Sequence, residues 1–269
     1  MAARATGVRG FVESLGQGVL NAVETVGGLA QLMFEVLRRG LLPPYRAALF
    51  FDHLDFIGVG STLLVCLTGL FTGMVFAKQT SYAFGLFRAQ SLVGPIVALT
   101  LFRELGPVFT ALMVTMRAGS AICTEIGTMR VTEQIDALAT IAVNPKQYLI
   151  APRVLAAVFM APALTMLFSS VGMVGAYIVV VYVERLSPGT FLTRVSSWVD
   201  PPDITESLVK GGVFGVLVIL IACYKGFNAT GGSKGVGRAT TEAMVLSAIT
   251  IFLTDYLLDL VMIGSAKAH

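Results

Sequence analysis

Long apolar runs separated by short charged segments set the rhythm of the chain. Residues 56–77 form an uncharged run of 22 and residues 154–183 one of 30, and about 20 helical residues cross a bilayer core about 30 Å thick. Two membrane spans follow from length alone. Three further apolar regions carry charge: 91–125 holds Arg103, Glu104 and Arg117, 207–224 holds Lys210, and 241–263 holds Asp255 and Asp259. Five spans are expected, over 54–77, 91–125, 149–183, 207–225 and 240–264, with Lys210 near enough to a helix end to snorkel to the headgroups. Ahead of them, 11–42 predicts a helix lying along the membrane surface. Glu13, Gln17, Asn21, Glu24, Gly28, Gln31, Glu35 and Arg38 step by three or four into a polar stripe, and Leu15, Val19, Val23, Val26, Ala30, Met33 and Leu37 fill the other side. Glu24 and the regular stripe argue against a cleaved leader, whose apolar core is continuous.

One connection between spans has a helical pattern of its own. Over 128–144, Val131, Ile135, Leu138 and Ala142 recur on one face, Glu133 and Asp136 lie on another, Thr128 or Thr132 is placed to cap the start, and Asn144-Pro145 ends the turn. Pattern alone makes this a surface helix with a solvated face. Its place between two spans makes it a candidate contact for something outside the membrane. By contrast, 184–206 reads as a loop with one short helix, marked by Pro188-Gly189 and Pro201-Pro202, with Trp198 suited to the membrane interface.

Composition agrees: 55% of the 269 residues are hydrophobic and 13% charged, where soluble chains carry about a quarter charged. The expected fold is an all-α integral membrane protein, with no room for a second globular domain. Eleven lysines and arginines fall in the segments on the N-terminal side of the membrane and six on the other. That bias places the N-terminus and 128–153 in the cytoplasm and the C-terminus outside. The net charge of +3 reflects this bias and carries no nucleic-acid footprint. Cys66, Cys123 and Cys223 sit in apolar runs without CxxC spacing and read as packing residues, not metal ligands. His53 and His269 are the only histidines and no GxSxG sequence occurs, so hydrolytic catalysis has no visible machinery. The glycine-rich stretch 228–243 lacks phosphate-loop spacing and is expected to be a tight turn, with Thr240 or Thr241 capping the last span.

The intramembrane charges are the candidate chemistry. A charge at a helix centre costs about 2.5–3.5 kcal/mol on insertion scales and should face protein or a water-filled cavity. Arg103 and Glu104 either pair with neighbouring helices, or Arg103 faces a cavity admitting an anionic headgroup while Glu104 fixes the helix or a gate. Arg117 and Glu125, eight residues apart, read as anchors near one interface. Asp255 and Asp259, four apart, either pair with arginines of other helices or bind a cation or proton. Arg117, Glu125, Asp255 and Asp259 form a candidate intramembrane charge network. An ion-coupled secondary transporter using Glu104, Asp255 and Asp259 is the alternative class, although no inverted repeat is visible.

Three motifs in order carry a family resemblance. The run 125–138, EIGTMRVTEQIDAL, followed by Asn144-Pro145 and Ala151-Pro152-Arg153, resembles the hallmark of the MlaE (YrbE) permeases of MCE-type ABC lipid transporters. Arg103-Glu104-Leu105-Gly106-Pro107 and the run 235–241, GVGRATT, are similar to two further signatures, so the likeness spans nearly the whole chain. It implies an interfacial helix plus five spans in a bacterial inner membrane and a homodimer that forms a phospholipid cavity. It also implies two cytoplasmic ABC ATPase subunits (MlaF-like) and an MCE-domain protein (MlaD-like) on the periplasmic side, and leaves open a small STAS-type regulator (MlaB-like). ATP and Mg would be bound by the ATPase, with no cofactor in this chain. By the same resemblance Glu133, Gln134, Ile135, Asp136 and Leu138 would belong to a coupling helix seated in the ATPase, and Arg103 and Glu104 would border the lipid cavity. Two departures from the pattern, Met116 before Arg117 and Lys78 before Gln79, bear on local helix packing.

Overall fold

Backbone signals, more than hydropathy, set where the helices begin and end. The computed structural model describes residues 8–40 and 47–266, which form eight helices and, among the described residues, no strand. These are α1 (Val8–Gly40), α2 (Ala47–Gly85), α3 (Gln90–Val131), α4 (Gln134–Thr140), α5 (Lys146–Val183), α6 (Pro188–Ser196), α7 (Pro201–Phe227) and α8 (Gly232–Ala266). Helices α2, α3, α5, α7 and α8 are long and apolar enough to cross a membrane, as expected of an all-α chain with five spans. Residues 41–42, His269 and the side chains of Glu13, Leu15, Val19, Asn21 and Leu37 lie outside the described residues.

Every span runs beyond its apolar limits, because helices continue through polar residues until the backbone stops them. Helix α7 starts six residues earlier than expected. Asp200 and Asp203 form a capping box, with the Asp203 carboxylate accepting from Asp200 N at 2.8 Å, and Pro201 stands at the first helical position. Pro201-Pro202, expected in a loop, therefore opens a span. Helix α8 starts at Gly232, so Thr240 and Thr241 are not caps; they lie inside the helix and donate to the carbonyls of Val236 and Gly237. Only 228–231 remain as the turn, and most of the glycine-rich stretch is helix.

Packing is centred on α7, whose most apolar stretch is 61% buried, and thins towards α8, at 11%. Helices α2 and α5 meet along a seam of small residues: a Cβ on Gly73 would fall 1.9 Å from the carbonyl oxygen of Gly172, so backbone contacts backbone there. Against α5, α7 presents Gly211 and Gly212 to Pro162 and Thr165. Helix α1 has three faces, not two. Leu32 and Val36 are buried, Glu35 accepts an ion pair from Lys146 at 2.6 Å, and Leu20, Val23, Val26 and Phe34 are exposed. The outer faces of α2 and α8 show a second apolar surface, including Leu63, Phe71, Val75, Ile249, Phe252 and Leu260.

Candidate functional site

Proline starts the construction of the interior site. Pro107 has no N–H to give to the carbonyl of Arg103 four residues earlier, and the preceding turn, Leu101–Leu105, is π-helical, a local widening that recurs at functional positions. The side chain of Lys210 on α7 enters this gap. Its Nζ donates to Arg103 O at 3.0 Å and to Glu104 Oε1 at 3.1 Å, and it reaches Asp259 Oδ1 at 2.5 Å, Asp255 Oδ1 at 3.3 Å and Glu206 Oε1 at 3.7 Å. The lysine is 0% exposed. It does not snorkel: the early start of α7 puts it well inside the span, where three helices supply acceptors. A buried ammonium is tolerable only when its desolvation is repaid by several such partners.

Arg103 turns away from the lysine. Its Nε donates to Asp203 Oδ1 at 2.6 Å and its guanidinium forms an ion pair with the same oxygen, while 47% of the side chain stays exposed. Adjacent on one helix, Arg103 and Glu104 do engage different partners, and Asp255 and Asp259 pair with a lysine, not with arginines. Glu104, Asp255 and Asp259 bring carboxylate oxygens within 4.8 Å of one another, a spacing that suits a cation. Lys210 Nζ already lies within ion-pair distance of all three. The buried Asp255 Oδ1 meets Lys210 through the ion pair alone, with no further hydrogen bond among the described residues.

Arg117 and Glu125 do not share a site. Arg117 donates to Phe56 O and Ser61 Oγ and lies 4.8 Å over the Phe56 ring, in space left by Gly60, where a Cβ would collide with the guanidinium. Met116 beside it is 46% exposed, so this departure from the family pattern does not disturb packing; Lys78 pairs with Glu184 at 2.5 Å on the surface. Glu125 instead binds Arg153 on α5 at 2.8 Å, and Arg153 Nη1 donates to Leu149 O at 2.6 Å. Arg153 is 2% exposed. This pair joins α3 to α5 at the neck of the hairpin that carries α4, so the four residues grouped by sequence divide between opposite parts of the bundle.

The external helix is shorter than 128–144. Thr128 and Arg130 belong to α3, which ends at Val131, and Glu133 takes a left-handed backbone (φ 61°) without a side-chain cap. Neither Thr128 nor Thr132 caps α4: each donates to a carbonyl four residues back on α3. Asn144 starts the next helix as well as ending the connection, its Oδ1 accepting from Lys146 N at 3.1 Å. Within α4, Gln134, Asp136, Ala137, Ala139 and Thr140 are exposed, while Ile135 is 2% exposed and Leu138 half-buried. Ile135 and Leu138 therefore hold α4 to the rest of the chain, and the outward surface is polar. Asp136 accepts from Arg130 at 2.7 Å.

Lys210, Asp203, Glu206 and Arg153 are the site residues that hydropathy missed. The signal was present at Asp203, Glu206 and Lys210, which recur at helical spacing, but it is readable only once Pro201 is taken as a helix start.

Five long apolar helices, three of them joined at a buried lysine, with a short helix held outside between two spans, define a multi-pass membrane protein. Residues 50–261 match the family model described as Permease MlaE, and the chain belongs to that family. It is 40% identical over 248 residues to a probable ABC transporter permease protein of Rickettsia felis, covering 92% of this chain and 96% of that protein. Over 256 residues it is 34% identical to the intermembrane phospholipid transport system permease protein MlaE of Haemophilus influenzae, covering 95% and 98%. The chloroplastic protein TRIGALACTOSYLDIACYLGLYCEROL 1 of Arabidopsis thaliana is 38% identical over 208 residues, 77% of this chain and 59% of that protein. The chain is thus the non-catalytic membrane subunit of an ABC transporter, a class that works with an ATPase.

Proposed function

We propose that this chain is the permease of an ATP-driven phospholipid transporter, working as a homodimer whose two copies enclose the lipid cavity. The observation that carries the reading is the end-to-end similarity to an intermembrane phospholipid permease, over 95% of this chain. Two features agree with it: the apolar outer faces of α2 and α8, suited to lipid and to a second copy, and the half-exposed Arg103 and Glu104. The N-terminus and α4 lie on the cytoplasmic side of an inner membrane, by the lysine and arginine bias. There Glu133, Gln134 and Asp136 meet the ATPase, which holds ATP and Mg, while Ile135 and Leu138 seat α4. An MCE-domain protein receives or delivers lipid on the periplasmic side, and a STAS-type regulator on the ATPase is compatible with this arrangement.

In this mechanism, closure of two ATPases pushes α4. The Glu125–Arg153 pair makes the α3–α5 neck move as one body, and the displacement reaches the Pro107 gap, where Lys210 joins α3, α7 and α8. Lipid moves because the two states of the cavity bind it with different affinity. The test is transport of a labelled phospholipid between vesicles containing the assembled transporter. ATP should drive it and removal of the ATPase should abolish it. Movement driven by an ion gradient in the permease alone would overturn the reading.

A further inference from the structure

A cavity of about 450 Å³ lies between α1, the start of α5 and the end of α7, lined by Glu24, Gln31, Lys146, Tyr224, Phe227 and Asn228. Its volume is in the range of small-molecule sites. Its place on α1 follows from helical geometry. At about 100° per residue, Glu24, Gly28 and Gln31 fall between the exposed apolar strip of Leu20, Val23, Val26 and Phe34 and the buried strip of Leu32 and Val36, with Gly27 within the exposed strip beside Leu20. The two glycines open the wall: a Cβ on Gly28 would lie 2.4 Å from the Tyr224 hydroxyl, and one on Gly27 meets nothing within 4 Å. With the apolar strip in the acyl region, the cavity opens at headgroup depth in the leaflet on the α4 side.

The lining selects among headgroups. Glu24 and Gln31 have no hydrogen-bond partner among the described residues, and Lys146 already holds Glu35 at 2.6 Å. One lysine beside two carboxylates repels a purely anionic headgroup. A quaternary ammonium needs open aromatic faces; Tyr224 points its hydroxyl end at Gly28, and the Phe227 ring lies 5.9 Å from the Arg130 guanidinium. A primary ammonium, by contrast, can donate to Glu24.

We propose that this cavity binds a phosphate ester bearing a primary ammonium, supplied by an ethanolamine phospholipid of that leaflet. The ammonium binds Glu24 and the phosphate lies beside Lys146 and the amide groups of Gln31 and Asn228. The bound lipid bridges α1 to the foot of the α4 hairpin. This inference rests on α1 lying at the membrane interface and on no step of transport, so it is tested without ATP.

The experiment uses the assembled transporter in nanodiscs containing matched ethanolamine and choline phospholipids with a photoreactive group beside the glycerol, and maps labelled peptides by mass spectrometry. Ethanolamine lipid should label 24–31 and 224–228 about fivefold more than choline lipid, the worth of one exposed charge pair. Labelling of the exposed α8 face should show no preference. Glu24→Gln, a change at an exposed side chain, should bring the ratio near one, and Gly27→Phe should abolish labelling by filling the cavity. Equal labelling by both lipids in the unaltered protein, or an undiminished preference in Glu24→Gln, overturns the proposal. Protection of Lys146 from acylation by soluble phosphoethanolamine, without lipid labelling, would overturn the membrane source.

Discussion

The charges at the Lys210 cluster and those around α4 are built on opposite principles. At the first, one fully buried ammonium is shared among carboxylates from α3, α7 and α8. At the second, the Arg130–Asp136 and Lys146–Glu35 pairs stand partly in solvent, and only Arg153 at the neck is buried. A shared, desolvated charge cannot lose one partner without leaving others uncompensated, so it fixes how three spans sit together. Exposed pairs contribute about 0–1 kcal/mol and leave their surface free to exchange partners. One region therefore specifies geometry, and the other presents it.

Four single substitutions and one added second change sharpen or break this contrast. Lys210→Met leaves several carboxylates facing one another and should cost about 3–5 kcal/mol, read as loss of thermal stability in the detergent-purified protein. Adding Asp259→Asn should restore part of it, and a mild Lys210→Met would end the distinction. Arg153→Ala removes a buried charged hydrogen bond worth about 1.5–3 kcal/mol. With the transporter still assembled, lipid-stimulated ATP hydrolysis should fall towards the basal rate; if stimulation survives, the neck does not transmit. Arg103→Ala takes the charged partner from buried Asp203 and should cost about 1–3 kcal/mol of stability, and should reduce phospholipid retained by the purified complex; unchanged retention would remove Arg103 from the cavity. Smallest in stability is Asp136→Asn, below about 0.5 kcal/mol, with weaker co-purification of the ATPase as its readout. Changing Ile135 to a charged residue would not serve, because its burial makes loss of α4 itself the expected result.

Small residues separate the spans in the same way. Between α2 and α5 the approach is set by Gly73 and Gly172, whose backbones touch, whereas α8 keeps large side chains on its outer face, among them Phe252, Tyr256 and Leu260. The first contact is complete within one chain, and the second leaves a large apolar surface exposed.

By itself the sequence determined the class of fold, the number of spans and the presence of an external helix, because bilayer thickness and helical periodicity act on local stretches that can be read residue by residue. It also marked Arg103, Glu104, Asp255 and Asp259 as costly. Which charge meets which was decided only by the tertiary structure: Lys210 looked like an interfacial residue until Asp200, Pro201 and Asp203 moved the start of its helix outward. Glu125 looked like an interface anchor until α5 brought Arg153 to it. Desolvation and pairing depend on distances between segments about a hundred residues apart in the chain, and no local pattern encodes those distances.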